Sequence, residues 1–256
     1  MKEVQRNRRS SGILEPTPIG GELPLEIDPR RTAVLGIDLH RGHLDPTIAT
    51  MPLPTATSQR VVEANRVLFN LARASGIPVI HMILQCRTIP GLGRENLAQP
   101  FKRALLAANR PMLKGRKADL LHHNLLGSPQ TELMPELGPE QGDYIIDYKR
   151  RMSSFYGTDL EILLRTLGTA TLVITGVNTN TCVQCAAMEA YNRDLQVVVV
   201  EDCVASMDGE ELHQFALANI GKRLGWVVSL DKFRTALSAS ADSVGASAES
   251  QGGSSR

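Results

Sequence analysis

An alternation constrains this chain more than any other feature. Short aliphatic and β-branched runs occur at TAVLGID (32–38), IPVIHMIL (77–84), DYIIDY (143–148), TATLVIT (169–175), LQVVVVED (195–202) and WVVSL (226–230). Between most of them lie longer stretches with helical patterning, over 57–76, 158–168, 181–194 and 208–221. In the first of these, Val61, Val62, Ala64, Val67, Leu68 and Leu71 fall close to a 3.6-residue period. A strand apolar along its whole length must be covered on both faces, which parallel sheets with crossover helices achieve. The pattern predicts an α/β fold with three layers: a six-stranded parallel sheet with helices on both faces and right-handed crossovers. Ligands in such sheets bind beyond the carboxyl ends of the strands. Functional residues are therefore sought at strand ends.

Local signals sharpen the boundaries. Gly76, just past the first helical pattern, suits a left-handed C-terminal cap. Thr158 with Glu161 three residues later is a capping-box signature, and Ser153 and Ser154 read as turn residues. Residues 86 to 140 carry turn signals and no clear strand. The first thirty or so residues lack periodicity, and ALSASADSVGASAESQGGSSR has almost nothing to bury. One domain over 30–235 is expected, with an N-terminal extension (1–29) and a C-terminal tail (236–256).

A net charge of +1 gives no basic excess for nucleic acid or an anionic membrane. No segment approaches the roughly 20 apolar residues of a membrane span, and MKEVQRNRRSSG lacks the apolar core of a secretory signal. A cytoplasmic protein with a small-molecule partner is the expectation. The cysteines Cys86, Cys182, Cys185 and Cys203 are too few and too unevenly spaced for a disulfide framework. No phosphate-binding G-x-x-x-x-G-K-[ST] is present, and the GLG at 91–93 opens no dinucleotide fingerprint. No second cysteine pair completes a zinc site with the adjacent His122 and His123. No cofactor and no metal are expected.

Three strand ends carry groups that chemistry can use. Asp38 follows the first strand, Lys149 follows DYIIDY, and Cys182 follows TLVIT through the turn GVNTNT. Each has a plainer reading: a turn cap, a member of a solvated basic cluster with Arg150 and Arg151, and a small buried cysteine. At a helix N-terminus, however, a thiol meets the positive end of the helix dipole, which favours thiolate. A thiol nucleophile needs a base for its proton, and the leaving nitrogen later needs a proton back. Asp38 can serve as that base, with Lys149 holding carboxylate and thiolate in place. The backbone N–H groups of the turn from Asn178 to Cys182 would then face the oxyanion of a tetrahedral intermediate.

With these residues assembled, the chain resembles the isochorismatase-like cysteine hydrolases. That family includes nicotinamidases, N-carbamoylsarcosine amidases, biuret hydrolases, and ureidoacrylate or maleamate amidohydrolases. The matching segments are AVLGIDLHRG, GSPQTELMPEL, DYKRRMSSFYGTDLEILLRTLG, TLVITGVNTNTCVQCAAMEAYNRD and VVVVEDCVAS, across roughly residues 30 to 232. The resemblance implies an Asp38, Lys149 and Cys182 triad, an acyl-enzyme on Cys182, and a non-proline cis peptide between Val177 and Asn178. It also implies an oxyanion hole from the Asn178 and Cys182 amides, and a homodimer or homotetramer. Two departures matter. His40, with Arg41 and His43 close behind, stands where relatives often have Gln or Asn, and ILQCRTIPG lacks the Asp-x-His metal motif of nicotinamidases. Neither zinc nor nicotinamide is expected.

The activity that follows is hydrolysis of a C–N bond in a small amide, carbamoyl or ureido compound, releasing ammonia or an amine. Vinyl-ether hydrolysis of the isochorismatase type, or a catalytically idle binding protein of the same fold, stand as alternatives. His40, Arg41 and His43 are candidates to receive an anionic substrate, or form a solvated turn. Phe155 is a candidate pocket wall, or packs under its loop, and Arg87 is a further candidate at the end of the second strand. RPMLKGRK (110–117) reads as a surface loop. Cys182-x-x-Cys185 is not expected to be a redox pair, and Cys185 is expected to pack among Ala186, Ala187 and Ala190.

Overall fold

A computed structural model describes residues 23–108, 119 and 121–239. Six parallel strands form its main sheet: β1 (Thr32–Ile37), β2 (Val79–Leu84), β3 (Tyr144–Lys149), β4 (Thr171–Val177), β5 (Gln196–Ala205) and β6 (Gly225–Val228). Their spatial order is β3-β2-β1-β4-β5-β6, so the order reverses between β1 and β4. Such a reversal opens a crevice at the carboxyl end of the sheet, where ligands bind.

Helices cover both faces: α1 (Arg41–Leu44), α2 (Thr55–Ala74), α3 (Pro100–Ala107), α4 (Leu160–Thr166), α5 (Gln184–Tyr191), α6 (Glu210–Arg223) and α7, over 230–239. Alternate residues of each strand serve opposite cores. Val34, Val79, Val173 and Val198 join Leu68, Phe69, Phe233 and Leu237 beneath α2 and α7. Leu35, Ile80, Leu172 and Val199 join Leu164, Ala186, Ala187 and Ile220 beneath α4, α5 and α6. The period of two that places side chains on opposite faces of a strand thus fills both layers.

Gly76 (φ 70°) closes α2 as expected. The Ile77 N–H reaches the Ala72 carbonyl (2.9 Å) and the Gly76 N–H the Arg73 carbonyl (3.1 Å), the paired bonds of a Schellman cap. The capping box at Thr158 does not form. Its hydroxyl donates to the Ser154 carbonyl (2.6 Å) and accepts from the Leu160 N–H (3.3 Å), while Glu161 binds Arg165 and Arg193. The Ser153–Gly157 turn has claimed the hydroxyl. Ser153 is indeed a turn residue, its Oγ accepting from the Phe155 and Tyr156 amides (3.1 and 2.6 Å).

The strand β5 runs three residues past its acidic pair. A register shift against β4 carries Glu201 and Asp202, and pairing resumes at Val204 and Ala205. Ile27 and Leu237 are buried in the core that α2 and α7 cover. Most of the expected extension and tail, and the run at 110–117, lie outside the described residues. Among the described residues, no helix is long and apolar enough to cross a membrane.

Candidate active site

The first site residue leaves the sheet at its switch point. Asp38 follows β1 and adopts φ 54°, a left-handed conformation that Asp tolerates better than most residues. Its N–H remains tied to the Met82 carbonyl (2.8 Å). Beside it, β4 approaches so closely that a Cβ on Gly176 (φ 109°) would overlap the backbone of Ile37. Glycine is therefore required at the point where β4 turns towards Cys182.

Lys149 is the last residue of β3, two strands away from β1. Strands stand about 4.8 Å apart, so a long side chain is needed to cross from there. Its Nζ lies 2.6 Å from Asp38 Oδ2 and 3.3 Å from Cys182 Sγ. Lys149 and Asp38 are fully buried and Cys182 is 8 % exposed. Burial alone would weaken the lysine's hold on its proton, but the Asp38 carboxylate beside it and the hydrogen bonds to Asp38 and Cys182 outweigh it and hold its pKa above the ordinary range. Lys149 stays an ammonium.

Cys182 sits in a single wide turn of π type, Thr179–Val183, leading into α5. Burial pushes its thiol pKa up, Lys149 draws it back, and the neighbouring Asp38 carboxylate pushes it up again. That direction favours a protonated resting thiol. The helix end expected to favour a thiolate begins two residues later, at Gln184, and burial works against the charged form. The Val177–Asn178 peptide is cis. Asn178 Oδ1 accepts from the Met207 N–H (3.0 Å), and Thr179 Oγ1 bonds His213 Nδ1 (2.8 Å), which ties the turn to neighbouring elements. The Asn178 N–H has no acceptor among the described residues.

His40 and His43 are buried, not in a solvated turn. Their rings stack at 4.8 Å, and His43 meets His123 at 4.7 Å. Asn124, itself buried, directs its side-chain nitrogen to His40 Nε2 (3.2 Å) and His123 Nε2 (3.1 Å). His123 Nδ1 lies 2.7 Å from Thr50 Oγ1, and His43 Nδ1 3.2 Å from the Met51 carbonyl. An Asn124 amide donating to His123 Nε2 is consistent with a His123 proton on Nδ1, facing Thr50 Oγ1. All three rings are held neutral, principally by burial: His40 and His123 fall well below the ordinary value, and His43 falls to about 4 despite the pull of Asp38.

Arg41 and Arg87 do not serve as free cations. Arg41 bonds Asp45 (2.9 Å) and Glu132 (2.8 Å), beside a surface cleft of about 660 Å³ that none of the three triad residues lines. Arg87 bonds Glu95 (2.7 Å). Carboxylates have taken both guanidinium groups, Asp45 and Glu95 from the same stretches of chain and Glu132 from a distant one. Phe155 is buried in the same apolar cluster as Cys182, with the Arg193 guanidinium 4.3 Å above its ring. Cys185 is only half buried and faces Glu189 (3.7 Å), not the alanines, and burial and that carboxylate push its pKa up to about 11. Cys203 is core.

Among the described residues, no group of three or more His, Cys, Asp and Glu side chains could hold a metal ion. Where nicotinamidases carry Asp-x-His, this chain has Gln85, Cys86 and the paired Arg87, which do not fit one. Reading the sequence alone missed His123 and Asn124. His123 had a signal only as half of a His-His pair, and Asn124 had none.

Comparison with known proteins bears on this geometry. A model of the isochorismatase domain matches residues 32–232. The ureidoacrylate amidohydrolase RutB of Methylobacterium radiotolerans is 28% identical over 225 residues, covering 84% of this chain and 82% of that protein. The crystal structure of a cysteine hydrolase from Pseudomonas syringae pv. phaseolicola superposes with a TM-score of 0.70 at 22% identity, over 85% of this chain and 97% of that one. An isochorismatase family protein from Burkholderia thailandensis does so at 0.61 and 28% identity, over 83% and 98%.

Proposed function

Since the chain belongs to the isochorismatase family, we propose that it is a cysteine amidohydrolase cleaving a C–N bond in a small amide, carbamoyl or ureido compound. One observation carries this reading: Lys149 Nζ bridges Asp38 and Cys182 at a buried site. A buried lysine holding a carboxylate against a thiol has no packing advantage over apolar residues of similar size.

The reaction starts with the protonated thiol. Asp38 takes its proton as Sγ attacks the substrate carbonyl. The developing oxyanion is met by the Asn178 and Cys182 amides, fixed donors in a site of low dielectric constant, where such bonds count for more than in water. Asp38 returns the proton to the departing nitrogen, and ammonia or an amine leaves. Water then attacks the acyl-sulfur bond, giving its proton to Asp38, and the thiol reforms. Lys149 keeps its charge throughout, balancing Asp38 in one half-cycle and sulfur in the other. The proposal includes the domain limits of about 30 to 235, and the homodimer or homotetramer that the family resemblance implies.

Ureidoacrylate heads the substrates to test because RutB, to which the chain is similar, is a ureidoacrylate amidohydrolase. The experiment is product release from ureidoacrylate, maleamate, biuret, N-carbamoyl amino acids and nicotinamide, with wild type beside Cys182→Ala. Turnover of a C–N compound by wild type and its loss in the variant support the reading. Turnover that survives the variant, or the absence of any turnover, overturns it.

A further inference from the structure

Three successive residues of the cysteine turn bond to one stretch of chain. Asn178 Oδ1 accepts from the Met207 N–H (3.0 Å), and Thr179 Oγ1 bonds His213 Nδ1 (2.8 Å). Asn180 accepts from Ser206 Oγ (2.7 Å) and donates from Nδ2 to Asp208 Oδ2 (2.8 Å). The stretch 206–213 begins where β5 ends beside β4, with Val177 paired to Ala205, and runs into the first turn of α6. Its start is in turn fixed from α2. Arg60 donates to the Asp202 (2.6 Å) and Val204 (3.2 Å) carbonyls, and Asn65 to the Cys203 carbonyl (2.8 Å). A chain of braces thus leads from a core helix to the turn that carries Cys182.

The turn needs that outside support, because a single π-type turn has few backbone bonds of its own. The Asn178 carbonyl accepts from the Thr181 and Val183 amides (both 3.1 Å), and the Thr179 carbonyl from that of Gln184. The Thr179–His213 bond joins two buried side chains, whereas Asn180 and Asp208 meet at the surface, where water can replace either partner. A buried bond of this kind adds only about 0.5–1.5 kcal/mol of net stability, and an apolar pair of the same shape would do about as well. What it adds is direction. Thr179 opens the turn between Asn178 and Cys182, so a shift of Thr179 carries both of their amides. Donors to an oxyanion act at about 2.7–3.1 Å and have to be held there to within about 0.5 Å.

We infer that His213 is a positioning residue of the active site: through Thr179 it holds the Asn178 and Cys182 amides on the oxyanion. The inference rests on the hydrolase reading above and adds α6 to the elements that build the site. Acylation and deacylation both pass through a tetrahedral oxyanion, so loss of the brace slows whichever of them limits turnover. Substrate binding in the ground state, where the oxyanion has not formed, is left intact.

The test measures kcat and kcat/KM on the C–N compound of the panel that wild type turns over, with urea midpoints establishing that each variant is folded in the assay. His213→Leu and Thr179→Val should each lower kcat and kcat/KM together by about 10- to 100-fold, less than the roughly 100- to 1000-fold that follows outright removal of an oxyanion donor. His213→Asn, which keeps an amide atom at the place of Nδ1, should recover most of that loss. The double variant His213→Leu/Thr179→Val should be no slower than the slower single one, because both changes remove the same bond. Thr179→Val keeps its side-chain volume and carries the test should His213→Leu fail to fold. Wild-type kcat in a folded single variant, a loss confined to KM, no recovery in His213→Asn, or losses that multiply in the double variant overturns the inference and leaves the hydrolase reading standing. A wild type inactive on the whole panel overturns both.

Discussion

Acidification from about pH 7.5 to about pH 5.5 should cost this fold about 1.4 kcal/mol at His43, with the buried His40 and His123 acting in the same direction. Each is buried and each has a folded pKa below the unfolded value of about 6.5. A histidine of this kind adds stability above its unfolded pKa and loses it as pH falls towards the folded one, because the unfolded chain binds a proton that the native state refuses. With His43 near 4, the loss over those two pH units is about 1.4 kcal/mol at that ring, a sizeable share of the 5–15 kcal/mol typical of a domain.

Urea unfolding at both pH values reads the drop. In His43→Gln the drop should shrink by about 1.4 kcal/mol, whatever the substitution does to stability at pH 7.5, because the missing group no longer titrates. A variant whose drop equals that of wild type would refute the claim that His43 is held neutral by burial.

Other outcomes follow from the same geometry. Lys149→Met leaves Asp38 buried without its counter-ion, and should destabilise the fold by about 3–5 kcal/mol in urea titrations as well as abolish turnover. Iodoacetamide alkylation of Cys182 in wild type should rise only at pH above the ordinary thiol value of about 8.5, and any well-folded Lys149→Met should shift that rise higher still, since Lys149 is what draws the thiol pKa down. A midpoint below neutrality would contradict the resting thiol. Gly176→Ala must fit a Cβ against the Ile37 backbone at φ 109°, so a melting temperature unchanged from wild type would contradict the close approach of β1 and β4.

Much of the sheet was legible because apolar strands such as TLVIT and VVVV leave few alternatives to burial on both faces. The strand ends were legible for the same reason, and Asp38, Lys149 and Cys182 do meet at them. Less legible was anything decided by competition between partners. Thr158 looks like a cap until Ser154 offers its hydroxyl a nearer acceptor, and Glu201 and Asp202 look like the end of β5 until a register shift admits them. Arg41 and Arg87 look available for a substrate until Asp45, Glu132 and Glu95 take them. Cys182 looks activated by a helix end until its burial is known. A local pattern records a residue's capacity to bond, and the partner it finds depends on the whole chain.

The central claim is that the Cys182 sulfur attacks the substrate. The most direct measurement mixes enzyme with excess ureidoacrylate, quenches in acid within milliseconds to seconds, and determines the mass of the intact chain and of its Cys182 peptide. The account predicts a gain equal to the acyl portion of the substrate on Cys182, identifying which nitrogen departed, and no gain in Cys182→Ala. Product formed at full rate with no adduct at any quench time, or with the adduct on another residue, would contradict it.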